Sequence, residues 1–490
     1  MKKNVLIFTI LITLFNTITL FAGGILTNTN QSAHFIRMVA RDASTQIDAA
    51  YTNPAGLVKL KEGFHFSFTN QSAFQTRTIT STFPLFQGFG GNQTKVFKGE
   101  ASAPIVPSLQ AAYKKGKWVL SGSIAVTGGG GKATFNNGLP SFESGMALTP
   151  IIVNGVGQGL TAMNENISLT AKNYSVDQYM TGSSFIYGAQ IGGSYAINNM
   201  FSVYGGFRLN IVNNGYEGHL RDLQTEITSS GLSGIGLPKD YNGTLANPSP
   251  FLQMAIANTE SQADKQSLQL LNKASTDGVY LDCSQSGWGI SPILGFNFNY
   301  DKLNIGMKYE FRTALNVENK TKKDDTGMFA DGVNTPHDIP ALFTVGASYL
   351  ILPKLTASVG YHHFFDSDAD MADDKQKHIN GGTDEYLIGF EYRIDRMFLI
   401  SAGGQITRYG VKDAYQRDLS FSLNSYSIGL GGAVNVAKNV MINVGYFWTN
   451  YSDWTKKTDS YIASKPELGG GTDVFSRTNK VFAAGVDFSF

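Results

Sequence analysis

An all-β transmembrane barrel of about fourteen antiparallel strands is what this sequence predicts, and three patterns predict it. The first is strict alternation at the end of the chain. Phe482, Ala484, Val486, Phe488 and Phe490 share one face, and Val481, Ala483, Gly485, Asp487 and Ser489 share the other, because successive side chains of a strand point to opposite faces. The second is that the pattern recurs. Leu303, Ile305, Met307, Tyr309 and Phe311 alternate with Asn304, Gly306, Lys308, Glu310 and Arg312, and Tyr386, Ile388, Phe390 and Tyr392 alternate with Leu387, Gly389, Glu391 and Arg393. Apolar-out and polar-in is what a barrel with a polar interior requires. The third is that connections of two lengths alternate. Tight turns fall at 114–117, 197–200, 300–303, 352–354, 394–397 and 437–439, and long polar loops lie between them.

Taken in order, the chain divides into three parts. Lys2 and Lys3 precede an apolar run from Val5 to about Leu20, closed by Phe21-Ala22-Gly23-Gly24. A basic start, a short apolar stretch and small residues read as a signal peptide over residues 1–22. Residues 23–61 lack strand alternation and contain Asp48-Ala-Ala-Tyr-Thr-Asn-Pro-Ala-Gly-Leu57. Asn53-Pro54 marks a turn, and Gly56 permits backbone conformations closed to other residues. Residues 62–490 carry the strands, starting near Gly63. A barrel of this size stands between filled eight-stranded barrels and the water-filled porins, so its lumen needs a plug, and residues 23–61 are the segment available for it.

Composition narrows the function. No later stretch approaches 18 apolar residues, which excludes helical membrane spans. The net charge of +1 argues against nucleic acid as a partner. The lone Cys283 cannot form an internal disulfide. Gly128-Gly-Gly-Gly-Lys132 lacks both the leading glycine and the Ser or Thr of a phosphate loop. Asp366-Ser-Asp368-Ala-Asp370 begins like a calcium loop, but Met371 stands where the glycine belongs. His362 and His363 are adjacent in a strand and face opposite sides. No nucleophile elbow appears. The sequence therefore predicts no enzyme activity, no metal and no cofactor.

Two loops are unusual. One runs from Gly128 to about Tyr174 and is rich in large apolar residues. The other runs from about His219 to Cys283, where Ser249-Pro250 reads as a helix start. Loops this long in a compact protein are functional or disordered.

With a signal peptide, an Asn53-Pro54-Ala55-Gly56 box and a following strand Gly63-Phe-His-Phe-Ser-Phe68, the chain resembles the FadL family of outer-membrane transporters for long-chain fatty acids and aromatic hydrocarbons. The resemblance implies a monomeric fourteen-stranded barrel of the bacterial outer membrane, plugged by an N-terminal hatch. It implies a long-chain fatty acid or other hydrophobic small molecule as ligand and outer-membrane lipid as surroundings. Loop residues Phe251, Leu252, Met254 and Ile256 become candidates for ligand capture. A strand that kinks to open the wall sideways has its counterpart in 118–131. Among lumen charges, Arg208, Lys308 and Arg312 are candidates to meet a carboxylate. An aromatic-hydrocarbon importer, a general porin and a surface adhesin are the alternatives.

Overall fold

The computed structural model of the chain describes residues 25–237, 239–463 and 465–490; the signal-peptide expectation for 1–22 lies outside them. Eighteen strand segments form one closed antiparallel sheet. They make fourteen barrel strands, because three strands are each interrupted once and the short segment Asn242–Ala246 belongs to a loop. In chain order these are β1 (Gly63–Thr82), β2 (Thr94–Lys115), β3 (Trp118–Phe135), β4 (Ser168–Ala196), β5 (Phe201–Ser230), β6 (Val279–Tyr300), β7 (Leu303–Glu310 and Asn316–Asp324), β8 (Asn334–Pro336 and Leu342–Leu352), β9 (Leu355–Phe364), β10 (Ile379–Arg393), β11 (Phe398–Val411), β12 (Ser425–Ala437), β13 (Val440–Tyr451 and Trp454–Thr458) and β14 (Gly471–Ser489). The barrel closes where β1 pairs with β14, in a register that sets Phe66 opposite Phe488 and Phe68 opposite Val486. The tight turns fall where the alternation breaks in the sequence. All of them lie at one end, and the long connections lie at the other.

Burial follows the alternation. Phe64, Phe66 and Phe68 of β1, Phe207 and Ile211 of β5, Ile388 and Phe390 of β10 and Phe482 of β14 are exposed. The lumen faces between them are buried. So wide a belt of outward aromatic and aliphatic side chains is stable only against hydrocarbon. No helix among the described residues is long and apolar enough to cross a membrane.

The expected loop boundaries need correction. β3 continues through the tetraglycine to Phe135 and β4 begins at Ser168, with α3 (Pro140–Met146) and α4 (Thr149–Met163) between them. β5 reaches Ser230, and β6 starts at Val279. Strands run on beyond the belt because their ladders continue to satisfy the backbone there. The expected helix is present as α5 (Ser249–Ala257), followed by α6 (Gln262–Ser275). Its start differs by one residue: Ser249 is already helical, and its amide donates to Asn247 Oδ1 at 2.8 Å.

Residues 25–60 lie inside the barrel and are almost wholly buried as far as Leu57. They form α1 (Ala33–Arg37), α2 (Ala49–Thr52) and a 3₁₀ turn, Pro54–Lys59. The wall makes room with glycines. A Cβ on Gly429 would come 2.5 Å from Ile36 O, one on Gly389 2.5 Å from Met38 Cγ, one on Gly403 2.9 Å from Val39 N, and one on Gly445 2.8 Å from Arg37 N. The high glycine content is thus concentrated, in part, where backbone must approach backbone.

Candidate functional site

The buried segment meets the wall in two places of different character. The first is a polar seat. Arg41 donates to Asp48 in a fork, Nε to Oδ2 at 2.7 Å and Nη2 to Oδ1 at 2.8 Å, while Ser44 Oγ donates to Oδ1 at 2.7 Å. Burial opposes charge on Asp48, but the Arg41 guanidinium outweighs it and holds the carboxyl well below the usual carboxylate range. Asn53 Nδ2 donates to Asn297 Oδ1 on β6 at 2.7 Å and to Ser44 O at 3.1 Å. Ser194 Oγ donates to Pro54 O, and Ser202 Oγ to Ala55 O, at 2.6 and 2.7 Å. A Cβ on Gly56 would come 2.5 Å from Ser44 O. Every residue of the Asn-Pro-Ala-Gly box is therefore held by shape or by hydrogen bonds. Further round, His362 lies 2.8 Å from both Asp42 Oδ1 and Glu385 Oε2, and Arg37 Nη1 donates to Glu391 Oε2 at 2.7 Å.

Two of the lumen cations expected to meet a ligand carboxylate belong to this seat. Arg208 donates to Glu310 Oε2 at 2.6 Å and Oε1 at 3.0 Å. Lys308 donates to Glu310 Oε1 at 2.6 Å and to Tyr51 O at 2.9 Å. Both cations also lie 4.7 Å from the centre of the Tyr51 ring. Glu310 already supplies the carboxylate that Arg208 and Lys308 require. Arg312 is at the rim, half-exposed, with Nη1 3.0 Å from Asp338 and 3.4 Å from Asp370. The structure brings Arg208 and Lys308 together and leaves Arg312 apart.

The second place is a gap in the wall. β2 pairs with β3 from Lys115↔Trp118 to Leu109↔Ile124, and again from Ala101↔Ala133 to Gly99↔Phe135. Between these stretches, residues 102–108 and 125–132 do not pair with each other. Each strand keeps its other neighbour, with register shifts on β3 at 126/128 and 129/131. The cause is local. Pro104 and Pro107 have no amide to donate, and Gly129 and Gly131 take left-handed φ values of 82° and 71°, which bend β3 away. About 20 Å of strand length is open between β2 and β3.

The start of the buried segment fills that gap. Asn28 N donates to Thr127 O at 2.8 Å, and Gly129 N donates to Leu26 O at 3.2 Å. Gln31 Nε2 donates to Val126 O at 2.9 Å, and Ser108 Oγ donates to Gln31 O at 2.7 Å. These bonds satisfy backbone groups that would be costly to bare at membrane depth. On the outer wall, next to the turn end of the gap, lies an apolar groove of about 350 Å³ bordered by Phe64, Phe66, Leu109, Leu120, Ile124 and Ile191.

Above the segment the lumen carries apolar clusters beside buried polar groups. Ile25 and Leu26 pack with Ile186, Val212, Leu315 and Ile339. Higher still, the loops and upper strands share one large cluster containing Phe83, Phe86, Phe97, Phe142, Leu252 and Phe421. Among the loop candidates, Leu252 is buried in that cluster, Phe251 is buried beside Tyr241, and Met254 and Ile256 are half-buried. The role of residues 25–31 as a cap escaped the sequence reading. The prolines at 104 and 107, inside a strand, were the signal that the wall is weak there.

No protein-family model matches the chain, and no curated protein matches it by sequence. Solved structures do. A Pseudomonas aeruginosa FadL homologue superposes with a TM-score of 0.60 at 13% identity, over 96% of this chain and 100% of that one. The Pseudomonas putida toluene transporter TodX does so with a TM-score of 0.53 at 13% identity, over 94% and 99%. The chain has the fold of FadL-type barrels over nearly its whole length.

Proposed function

We propose that this FadL-type barrel is a passive outer-membrane channel for hydrophobic molecules, long-chain fatty acids foremost. Ligand enters through the apolar loops, rests in the apolar upper lumen, and leaves sideways between β2 and β3 when residues 25–31 withdraw. The observation that carries this reading is the gap itself, a break in the wall at membrane depth closed by a segment of the same chain. A molecule leaving there passes from an apolar lumen to an apolar groove and then to lipid, and need not cross the charged seat below. Burying about fifteen methylenes at roughly 0.8 kcal/mol each gives about 12 kcal/mol gross, part of which association and ordering offset. A water-filled pore would forgo that gain.

The likeness to TodX, a toluene transporter, supports aromatic hydrocarbons as the second reading. Direct binding to the purified folded barrel separates them, with oleate, toluene and a neutral sugar as ligands. Saturable oleate binding that tightens with chain length supports the first reading, and binding of toluene alone supports the second. Steady ion conductance without apolar binding would overturn both in favour of a porin.

A further inference from the structure

The sheet register places two like charges face to face. Arg77 of β1 is the direct cross-strand partner of Arg477 of β14. Both point into the lumen near its loop end, and they are 0% and 7% exposed. Directly opposed like charges destabilise a sheet, and buried cations are normally paired. Among the described residues neither has a carboxylate within ion-pair distance.

Their neutral contacts are few. Arg77 donates to Leu419 O at 3.5 Å and Phe421 O at 3.3 Å, both longer than the usual 2.9–3.0 Å. Arg477 donates to Gln75 Oε1 at 3.0 Å. The Nε of each is buried without an acceptor. A third buried cation joins them: Lys375 donates to Ser420 O and Oγ and lies 4.2 Å from the centre of the Tyr415 ring. Arg77 and Lys375 thus hold consecutive positions of one loop segment, Leu419 to Phe421. Asp418 on that loop accepts instead from the amides of Ser141 and Leu419.

Apolar surface adjoins the cations at once. The Arg77 guanidinium lies 4.4 Å from the centre of the Phe421 ring, which packs on Phe475. Ile79, Phe421 and Phe475 belong to the large upper-lumen cluster. Cations on one side and hydrocarbon on the other define an amphipathic ligand.

We propose that Arg77, Arg477 and Lys375 form a site for the oxyanion head group of an acyl-chain amphiphile, carboxylate or phosphate, whose tail lies in the upper-lumen apolar cluster. The carbonyls of Leu419, Ser420 and Phe421 occupy the oxyanion's place until ligand arrives. Exchange replaces long dipole contacts with charge-assisted bonds and relieves the repulsion between the arginines. The inference rests on the hydrophobic-uptake reading above and narrows its ligand to an anion.

The test is equilibrium binding of oleate, oleyl phosphate and oleyl alcohol to the purified folded barrel, for wild type, Arg77→Gln, Arg477→Gln and Arg477→Lys. Wild type should bind at least one of the anions about tenfold or more tighter than the alcohol, a difference of about 1.4 kcal/mol or more. The ratio between the two anions identifies the head group. Each glutamine variant should lose that preference while keeping its affinity for the alcohol, and Arg477→Lys should retain most of it. The ligand-free glutamine variants should melt no lower than wild type, since one member of a repelling pair is gone. Equal affinity for alcohol and anions in wild type, or a preference that survives in both glutamine variants, overturns the anion site and leaves the uptake reading intact. Failure of all three ligands to bind wild type overturns both.

Discussion

The buried N-terminal segment is attached to the barrel in two ways, and the contrast between them is instructive. From Arg37 to Gly56 it is held to the wall by buried charged groups, Arg37 with Glu391, Asp42 with His362 and Lys308 reaching Tyr51 O, and it is braced within itself by Arg41 on Asp48. From Leu26 to Gln31 it is held by neutral hydrogen bonds to a wall that lacks its own ladder. Breaking a buried charge pair costs about 3–5 kcal/mol. A neutral hydrogen bond contributes only about 0.5–1.5 kcal/mol net. A few such bonds total about 3 kcal/mol, to which the packing of Ile25 and Leu26 adds. One chain therefore supplies both an anchor and a release, and the difference is chemical rather than steric.

Damage to the anchor should have the largest effect. Glu310→Gln leaves Arg208 and Lys308 buried without their carboxylate, and should destabilise the seat by about 3–5 kcal/mol. Hydrogen exchange should quicken at the amides of Asn53 and Gly56, which in the native chain donate to Ala49 O and Asn53 O. Next in size is steric expulsion of the cap. Gly128 has Leu26 O and the Ile186 side chain where its Cβ would be, so Gly128→Leu should drive residues 25–31 out of the gap. Dye-labelled fatty acid should then enter liposomes several-fold faster, with the barrel's melting temperature little changed.

A smaller effect is expected from Gln31→Ala. The change removes donors to Val126 O and Asn28 O, both at 2.9 Å, and should cost about 1–3 kcal/mol of cap closure. The readout is faster exchange at Asn28 N and Gly129 N, with Asn53 and Gly56 unaffected. Smallest is the restoration of donors to β2. Pro104→Val with Pro107→Val should narrow the gap and slow liposome uptake about twofold to threefold, a change of under 1 kcal/mol.

Strand number, turn positions and the lipid-facing belt were readable because they depend on local alternation and turn residues. Strand ends were misplaced near 128–174 and 219–283, because ladders beyond the belt persist through polar and glycine-rich stretches that look like loop. The gap was not readable in full. Gly128 to Gly131 marked a bend, but a missing ladder is a relation between two strands, and Pro104 and Pro107 carried its only local sign. Arg208 and Lys308 were candidates for a ligand carboxylate, and Glu310, two residues from Lys308 on the same strand face, was the sign that these charges have a partner within the wall. The apposition of Arg77 and Arg477 is set by closure of the first strand on the last, and no local pattern encodes it.

Ligand in the upper lumen is expected to open the wall by releasing the cap while the anchor holds. Hydrogen exchange with and without saturating oleate tests it most directly, read at Asn28 and Gly129 for the cap and at Asn53 and Gly56 for the anchor. Loss of protection is expected at the first pair and none at the second. Unchanged protection at all four amides, or release of all four together, would contradict it.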